Sequence, residues 1–497
     1  MDGHWLQGRP LGSLSVLSRI LGFALASAAS PALAQSVDHG AMDHEAMGHA
    51  PAAPHPDVTP GLTQTTPDPH AQHRVHEAAG TPEEPSDHAP ITDHSGHDMR
   101  TGHGDMPMMT GALGPYPMQR ESSGTAWQPD TSEHHGLMGH RGDWMLMGHG
   151  VLNLVTDHQG RDRGDDKAFA SGMLMGMAQR PVGNGTLQFR AMVSPDPLMG
   201  KRGYPLLLAS GETADGLEHL VDRQHPHDFF MELSASLSRN IGPTSSMFLY
   251  GGLPGEPAFG PPAFMHREAI MDSPEAPISH HWLDSTHITF GVLTLGVVTN
   301  RVKLEVSRFN AREPDQHRWN IETGPLDSTA ARLSWNPTNS LSLQGSWGKF
   351  RSPEQLEPGV DQRRWSASAL YAKGIGSGWK LASTLAWGRK TIAEHDHVFR
   401  DDAVVAEASL KKNDWTLFSR GELTENRELI EVAGDHGPAY RVGKVSVGAV
   451  RDFRISEHIS VGAGGLLALN FVPRALEEDY GSRNPMGTMA FIRLRVE

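Results

Sequence analysis

From about Asp143 to the C-terminus, the chain is written in runs that alternate apolar and polar residues with a period of two. Ile459, Val461, Ala463, Leu467, Leu469 and Phe471 share one parity, with Ser460, Gly462, Gly464 and Asn470 on the other. Trp379, Leu381, Leu385 and Trp387 alternate with Lys380, Thr384 and Gly388 in the same way. So do Leu187, Phe189, Ala191 and Val193 against Gln188 and Arg190, and Ile492, Leu494 and Val496 against Arg493 and Arg495. Successive strand side chains point to opposite faces, so these runs predict strands with one apolar and one polar face. Strands are expected near 143–155, 168–180, 185–194, 226–239, 244–252, 284–297, 300–309 and 327–336. A second half follows near 339–350, 362–374, 378–390, 402–411, 414–424, 438–452, 457–471 and 485–496.

The connections sort by length. Those after even-numbered strands are short: Pro181–Asn184, Asn240–Pro243, Val298–Thr299, Pro337–Thr338, Ile375–Ser377, Lys412–Asn413 and Phe453–Ser456. Those after odd-numbered strands run from eleven to about thirty residues. Strict alternation of short and long connections with an even strand number predicts an all-β fold, a transmembrane antiparallel β-barrel of about 16 strands over residues 131–497. A soluble sandwich or barrel, the alternative, gives no reason to segregate loops by length. Trp144, Trp335, Trp347, Trp365, Trp379 and Trp415 fall near strand ends, where interfacial girdles lie.

The N-terminal part reads differently. Arg9 and Arg19, the small and apolar run Ile20–Ala29 and the Ala32-Leu33-Ala34 pattern mark residues 1–34 as an export signal peptide. No later window is long and apolar enough for a membrane helix. The chain has no cysteine, so it has neither a disulfide framework nor a thiolate metal ligand. A formal net charge of −15 disfavours nucleic acid as a partner and favours cations. Residues 35–130 are poor in β-branched and aromatic side chains and are expected to be a disordered His/Met-rich segment.

That segment is biased toward metal ligands. Fourteen of the 29 histidines lie between His39 and His140, together with eight methionines. They cluster as Met42-Asp43-His44, Met47-Gly48-His49, His94 with His97 and Met99, His103 with Met106, and Met108-Met109. Thioether favours Cu(I), whereas imidazole suits Cu(II), Zn and Ni, so the mixture points to copper more than histidine alone would. A solvated linker that happens to be His-rich is the plainer reading. In the first strand Met145, Met147 and His149 should face the lumen, opposite Trp144, Leu146, Leu152 and Leu154. Met173, Met175 and Met177 of the second strand share a parity; if inward, they extend a thioether track with Met192. Methionine as a soft core filler is the alternative. Two long loops carry His225, His227, His280, His281 and His287, which with nearby carboxylates could hold a divalent ion or form ordinary hydrogen bonds.

A Met/His-rich leader behind an export signal, followed by a barrel, resembles the copper resistance protein B type of outer-membrane protein. The likeness rests on the Met42–His44 and Met47–His49 units. It implies copper as the bound metal. Separately, Asp222–Phe230, Pro262–Arg267 and Ser279–Gly291 resemble an uncharacterised family of Gram-negative outer-membrane proteins, a likeness that covers most of residues 140–497 and assigns no roles.

The sequence therefore predicts a non-enzymatic outer-membrane barrel of a Gram-negative bacterium, with its leader in the periplasm. It would bind copper, Cu(I) before Cu(II) or Zn, and sequester it or help it across the membrane. Expected partners are outer-membrane lipid, metal ions and periplasmic copper-handling proteins. A general or solute-specific porin with a metal-buffering leader is the alternative, and a barrel-embedded hydrolase a second; no G-x-S-x-G or H-E-x-x-H motif supports the latter.

The leader chemistry has a direct test. Imidazole, with an ordinary pKa of about 6.5, must be neutral to bind, whereas thioether does not titrate. A Gln35–His140 peptide should retain Cu(I) at mildly acidic pH while releasing Zn(II) and Cu(II). Leucine at Met42, Met47, Met99, Met106, Met108 and Met109 should remove most of the acid-resistant Cu(I) binding; unchanged retention would show that the methionines are not ligands.

Overall fold

The computed structural model describes residues 109–133, 136–394, 397–430 and 437–497. The export signal and Met42, His44, Met47, His49, His94, His97, Met99, His103, Met106 and Met108 lie outside the described residues.

Sixteen antiparallel strands form the wall. The first eight are β2 (Trp144–Gln159), β3 (Asp166–Val182), β4 (Gly185–Val193), β7 (Phe230–Gly242), β8 (Ser245–Gly252), β9 (Val292–Thr299), β10 (Val302–Phe309) and β11 (Ser328–Thr338). The remainder are β12 (Leu341–Phe350), β13 (Gln362–Gly376), β14 (Trp379–Glu394), β15 (His397–Lys412), β16 (Trp415–Asn426), β17 (Tyr440–Arg454), β18 (Ile459–Phe471) and β19 (Met486–Val496). Each pairs with its neighbour in this order, and β19 returns to β2 from Gly487↔Gln159 to Val496↔Gly150. The sheet is closed. A short strand β1 (Leu137–Arg141) continues the same edge of β2 beyond the end of β19, pairing Leu137↔Gly148 to Arg141↔Trp144.

Closure follows from the turns. Two residues separate the strands at 183–184, 243–244, 300–301, 339–340, 377–378 and 413–414, and four at 455–458. Asn300 and Asn413 take positive φ there (50° and 51°), the backbone that a tight hairpin demands and that asparagine tolerates.

The outer face is apolar and the inner face charged. Leu152, Leu154, Leu174, Leu295, Leu385 and Leu467 are exposed on the outside, whereas Arg332, Arg364, Arg420 and Arg493 are among the most completely buried side chains. A barrel dissolved in water would show the reverse, so this wall is built to face lipid. Trp144, Trp379 and Trp415 open their strands at the short-turn end, and Trp335 pairs with Val302 there. Trp347 and Trp365 meet at the opposite end with ring centroids 6.4 Å apart. Two girdles result, as the spacing predicted.

Three expectations need correction. Residues 226–229 and 284–291, expected as strand, are not: Pro226 interrupts the first, and the second follows a short helix His280–Leu283 and is the 3-10 turn Ser285–His287 and irregular chain. The long connection expected at 391–401 is largely strand, because Ile392↔Phe399 and Glu394↔His397 continue the ladder. Residues 109–130, expected to belong to a structureless segment, are folded. From Met109 the chain is ordered and mostly buried, with Ala112, Leu113, Tyr116, Ala126 and Trp127 packed inside the barrel. This segment has too few apolar residues for a core of its own; it orders by using the barrel wall as its partner.

The inside/outside assignment can be tested by charge. Leu152→Arg should impair insertion, since a cation on the lipid face near the midplane costs about 2–4 kcal/mol. Asn153→Arg, on the inward parity, should assemble nearly as well as wild type in heat-modifiability gels. The opposite order would invert the wall.

Candidate functional site

Three segments occupy the lumen. The stretch 109–133 is held by inward wall residues: Ser246 donates to Leu113 O (2.6 Å), Ser238 to Ala112 O (2.6 Å) and Arg190 to Ser122 O (3.1 Å). Arg332 donates to Thr125 Oγ1 (2.9 Å), and Lys303 to Thr125 O. The connection from β4 to β7 folds into a hairpin of β5 (Tyr204–Thr213) and β6 (His219–Gln224), whose Leu206, Leu207 and Leu208 are fully buried.

The third segment, residues 253–291 between β8 and β9, crosses to the far wall. Arg267 makes a bidentate pair with Glu407 of β15 (2.7 Å each) and donates to Asp284 (2.5 Å). Ser279 donates to Glu422 of β16 (2.7 Å), Glu275 pairs with Lys444 of β17 (2.5 Å), and Asp272 with Arg493 of β19 (2.5 Å). These charges stay buried because each has an opposite partner. Burial works against ionised Asp284, but Arg267 and His280 hold its carboxyl far below the usual carboxylate range.

Two ligand-rich groups emerge. The first is methionine. The inward parity expected for β2 is observed: Met145 and Met147 are buried while Leu146 is exposed. The open question for β3 resolves inward as well, with Met173, Met175 and Met177 buried and Leu174 60% exposed. Met145, Met147 and Met177 form one cluster with Met118 and the partly buried Met109. Met173, Met175, Met192 and Met231 form a second, against which Met265 packs. Register links them along the wall, with Met147 opposite Met177, His149 opposite Met175, and Met175 opposite Met192. A pocket of about 120 Å³ borders this wall; Met118, Met147, Met173, Met175, Met177, Met265 and His149 line it, as do Lys380, Lys411 and Val496 near the short-turn end.

The second group is histidine. Two loops bring His225, His227, His280, His281 and His287 together, with centroids 5.1 Å apart for His227–His287, 5.2 Å for His280–His287 and 5.9 Å for His225–His280. His227 Nδ1 lies 2.8 Å from Asp196, His280 Nδ1 2.9 Å from Asp284, and His287 Nδ1 2.7 Å from the Asp284 carbonyl. His281 instead faces Glu313 (3.2 Å) and has its Nε2 against Gly211, where a Cβ would come within 2.6 Å. Burial and neighbouring positive charge push His225 well below the ordinary imidazole range, as burial and the adjacent imidazoles do His287; burial also lowers His280. Burial opposes protonation of His281 too, but Glu313 outweighs it and raises this group.

Sequence reasoning named the five histidines and much of the methionine wall. It missed Met118 and Met231 as parts of the clusters, and Asp196 and Phe264 as neighbours of the imidazoles. A segment judged structureless and a loop far along the chain carry no signal of what they will touch. The five imidazoles bond carboxylates and carbonyls, and among the described residues no bond from them to a serine hydroxyl marks a hydrolytic pair.

Fold and lumen together define a sixteen-strand, porin-like membrane barrel with an occupied interior. Neither a protein-family model nor a curated protein matches the chain. Among solved structures it is similar to Salmonella typhi OmpF in complex with daunomycin (TM-score 0.45, 10% identity, 72% of this chain and 100% of that one). It is also similar to Pseudomonas putida OprB at high pH (TM-score 0.44, 9% identity, 71% and 94%). The anion-selective porin from Comamonas acidovorans is a third (TM-score 0.41, 12% identity, 71% and 99%).

The anchoring of the crossing loop predicts the effect of removing one buried partner. Arg267→Ala leaves Glu407 and Asp284 without their shared cation, which should cost about 3–5 kcal/mol. Proteolysis of the intact barrel should then cut within 253–291 at a protease dose that spares wild type, while the barrel strands stay protected. Equal resistance would show that the loop is held elsewhere.

Proposed function

We propose that this protein is an outer-membrane barrel that takes copper from the periplasmic side and sequesters it, or passes it along the lumen wall, and so confers copper tolerance. The observation that carries the reading is the thioether wall. Met109 packs with Met118, Met145, Met147 and Met177, and the series continues through Met175, Met173 and Met192 to Met231. Thioether sulfur is a poor partner for hard cations and a good one for Cu(I). In sequence the Met/His-rich leader runs directly into this series, and both carry the same ligand type. The order of leader and barrel in the sequence resembles the copper resistance protein B type, and periplasmic copper-handling proteins suit the role of donor.

A diffusion channel for small solutes is the second reading. Sixteen strands and a long loop folded inward suit it, and the packing of 109–133 and two loops inside the lumen weighs against a freely open pore.

Leucine in place of methionine keeps the volume and removes the sulfur, at a cost below about 1.5 kcal/mol. A Met145→Leu/Met147→Leu/Met177→Leu protein should reach the membrane at wild-type levels, yet bind less Cu(I) and restore copper sensitivity toward that of a deletion strain. Planar-bilayer recordings of wild type accompany the assay. Steady ion conductance together with unchanged copper tolerance in the variant would replace the copper reading with the channel.

A further inference from the structure

The imidazoles between the two lumen loops differ in chemistry from the thioether wall. We infer that His227, His280 and His287 form a nitrogen-only site for one borderline divalent cation, Cu(II), Zn(II) or Ni(II). The inference uses none of the wall's sulfur atoms and stands apart from the copper(I) reading.

Each of the three rings has its Nδ1 against an acceptor: the carboxylates of Asp196 and Asp284 for His227 and His280, and the Asp284 carbonyl for His287. A carbonyl can only accept, so His287 donates from Nδ1 and keeps its lone pair on Nε2; the ionised Asp284 sets His280 in the same way. All three Nε2 atoms are buried and have no hydrogen-bond partner. The residues themselves are no more than 9% exposed. A buried acceptor left without a partner costs about 1–3 kcal/mol, so three together in one place favour a ligand that all three can share. Imidazole oriented through its far nitrogen by a carboxylate or carbonyl is the arrangement that supports metal-bound histidine.

Spacing agrees. For imidazoles bound at about 2.0–2.1 Å with near-tetrahedral angles, ring centres fall about 5 Å apart. His287 stands 5.1 Å from His227 and 5.2 Å from His280. Phe264 lies beside all three rings, at 6.1, 5.7 and 6.4 Å, and supplies an apolar wall. His225 is a fourth ring 6.4 Å from His227, with its Nε2 3.2 Å from Glu212. Among the described residues no group of three His, Cys, Asp or Glu side chains is already placed to hold a metal ion. Loading therefore draws the rings inward by rotation while their Nδ1 contacts hold. Imidazole without sulfur suits Cu(II), Zn(II) and Ni(II) rather than Cu(I).

The test uses the full chain in detergent, loaded with Zn(II) and then washed with a chelator that strips ions from exposed imidazoles. Wild type should retain one equivalent per chain, and X-ray absorption should show nitrogen at about 2.0 Å and no sulfur near 2.3 Å. His227→Gln/His280→Gln/His287→Gln should retain none. Asp196→Asn, which leaves all ligands in place, should weaken retention about 10–100-fold. No retained ion in wild type, a sulfur shell, or equal retention in the triple variant would overturn the site. Should the triple variant fail to fold, the wild-type spectrum and Asp196→Asn decide. Loss of Cu(I) binding in the methionine variants leaves this result unaffected, and the converse holds as well.

Discussion

Everything in this molecule depends on the return of β19 to β2. In hydrocarbon an unpaired backbone N–H or C=O has no water to turn to, so a sheet can span only if it has no edge. The pairing from Gly487↔Gln159 to Val496↔Gly150 removes that edge, and β1 extends it along the short-turn end of β2. Once the ring is closed, the period of two sends every second side chain to lipid and every other one inward. Leucines such as Leu154 and Leu467 are exposed, while arginines such as Arg332 and Arg420 are buried.

Closure creates a second requirement. The inward parity carries Lys303, Glu305, Arg364, Glu407, Arg420, Lys444 and Arg493 into a confined space, and each needs a partner. Part of the answer comes from within the wall, as in Glu305 with Arg332 (3.1 Å). The rest comes from segments that enter. Arg267 answers Glu407, Asp272 answers Arg493, and Glu275 answers Lys444, so one loop is tied to three strands across the lumen. Backbone carbonyls of 122–125 answer Arg190 and Lys303. Filling of the lumen is thus the electrostatic complement of an apolar exterior.

Two ligand chemistries survive this filling. Sulfur lines one stretch of wall, on strands β2, β3 and β4. Nitrogen gathers between loops, held by Asp196 and Asp284. Sulfur and nitrogen donors thus stand at different places in one barrel, in surroundings set by the wall in one case and by the loops in the other.

Period-two alternation, tight turns and the sorting of connections by length are local properties, so strand number, closure and the lipid-facing side of most strands were legible from the chain alone. Parity in β2 was readable because Leu146, Leu152 and Leu154 are unambiguously apolar; in β3, Gly172, Leu174 and Gly176 leave the outer face weakly marked, and only the structure turned its methionines inward. Near Glu394 and His397, polar residues disguised a continuing ladder, since a hydrogen-bonded backbone does not require apolar side chains once it rises above the membrane. What no local pattern contains is the interior. Met109–Trp127 is too poor in apolar residues to fold by itself and becomes ordered because the barrel offers Arg190, Ser246, Lys303 and Arg332. The convergence of His227 with His280 and His287 joins loops more than fifty residues apart. Contacts across that separation follow from where closure places the loop ends and from the buried charges that pull them in, and tertiary structure alone decides them.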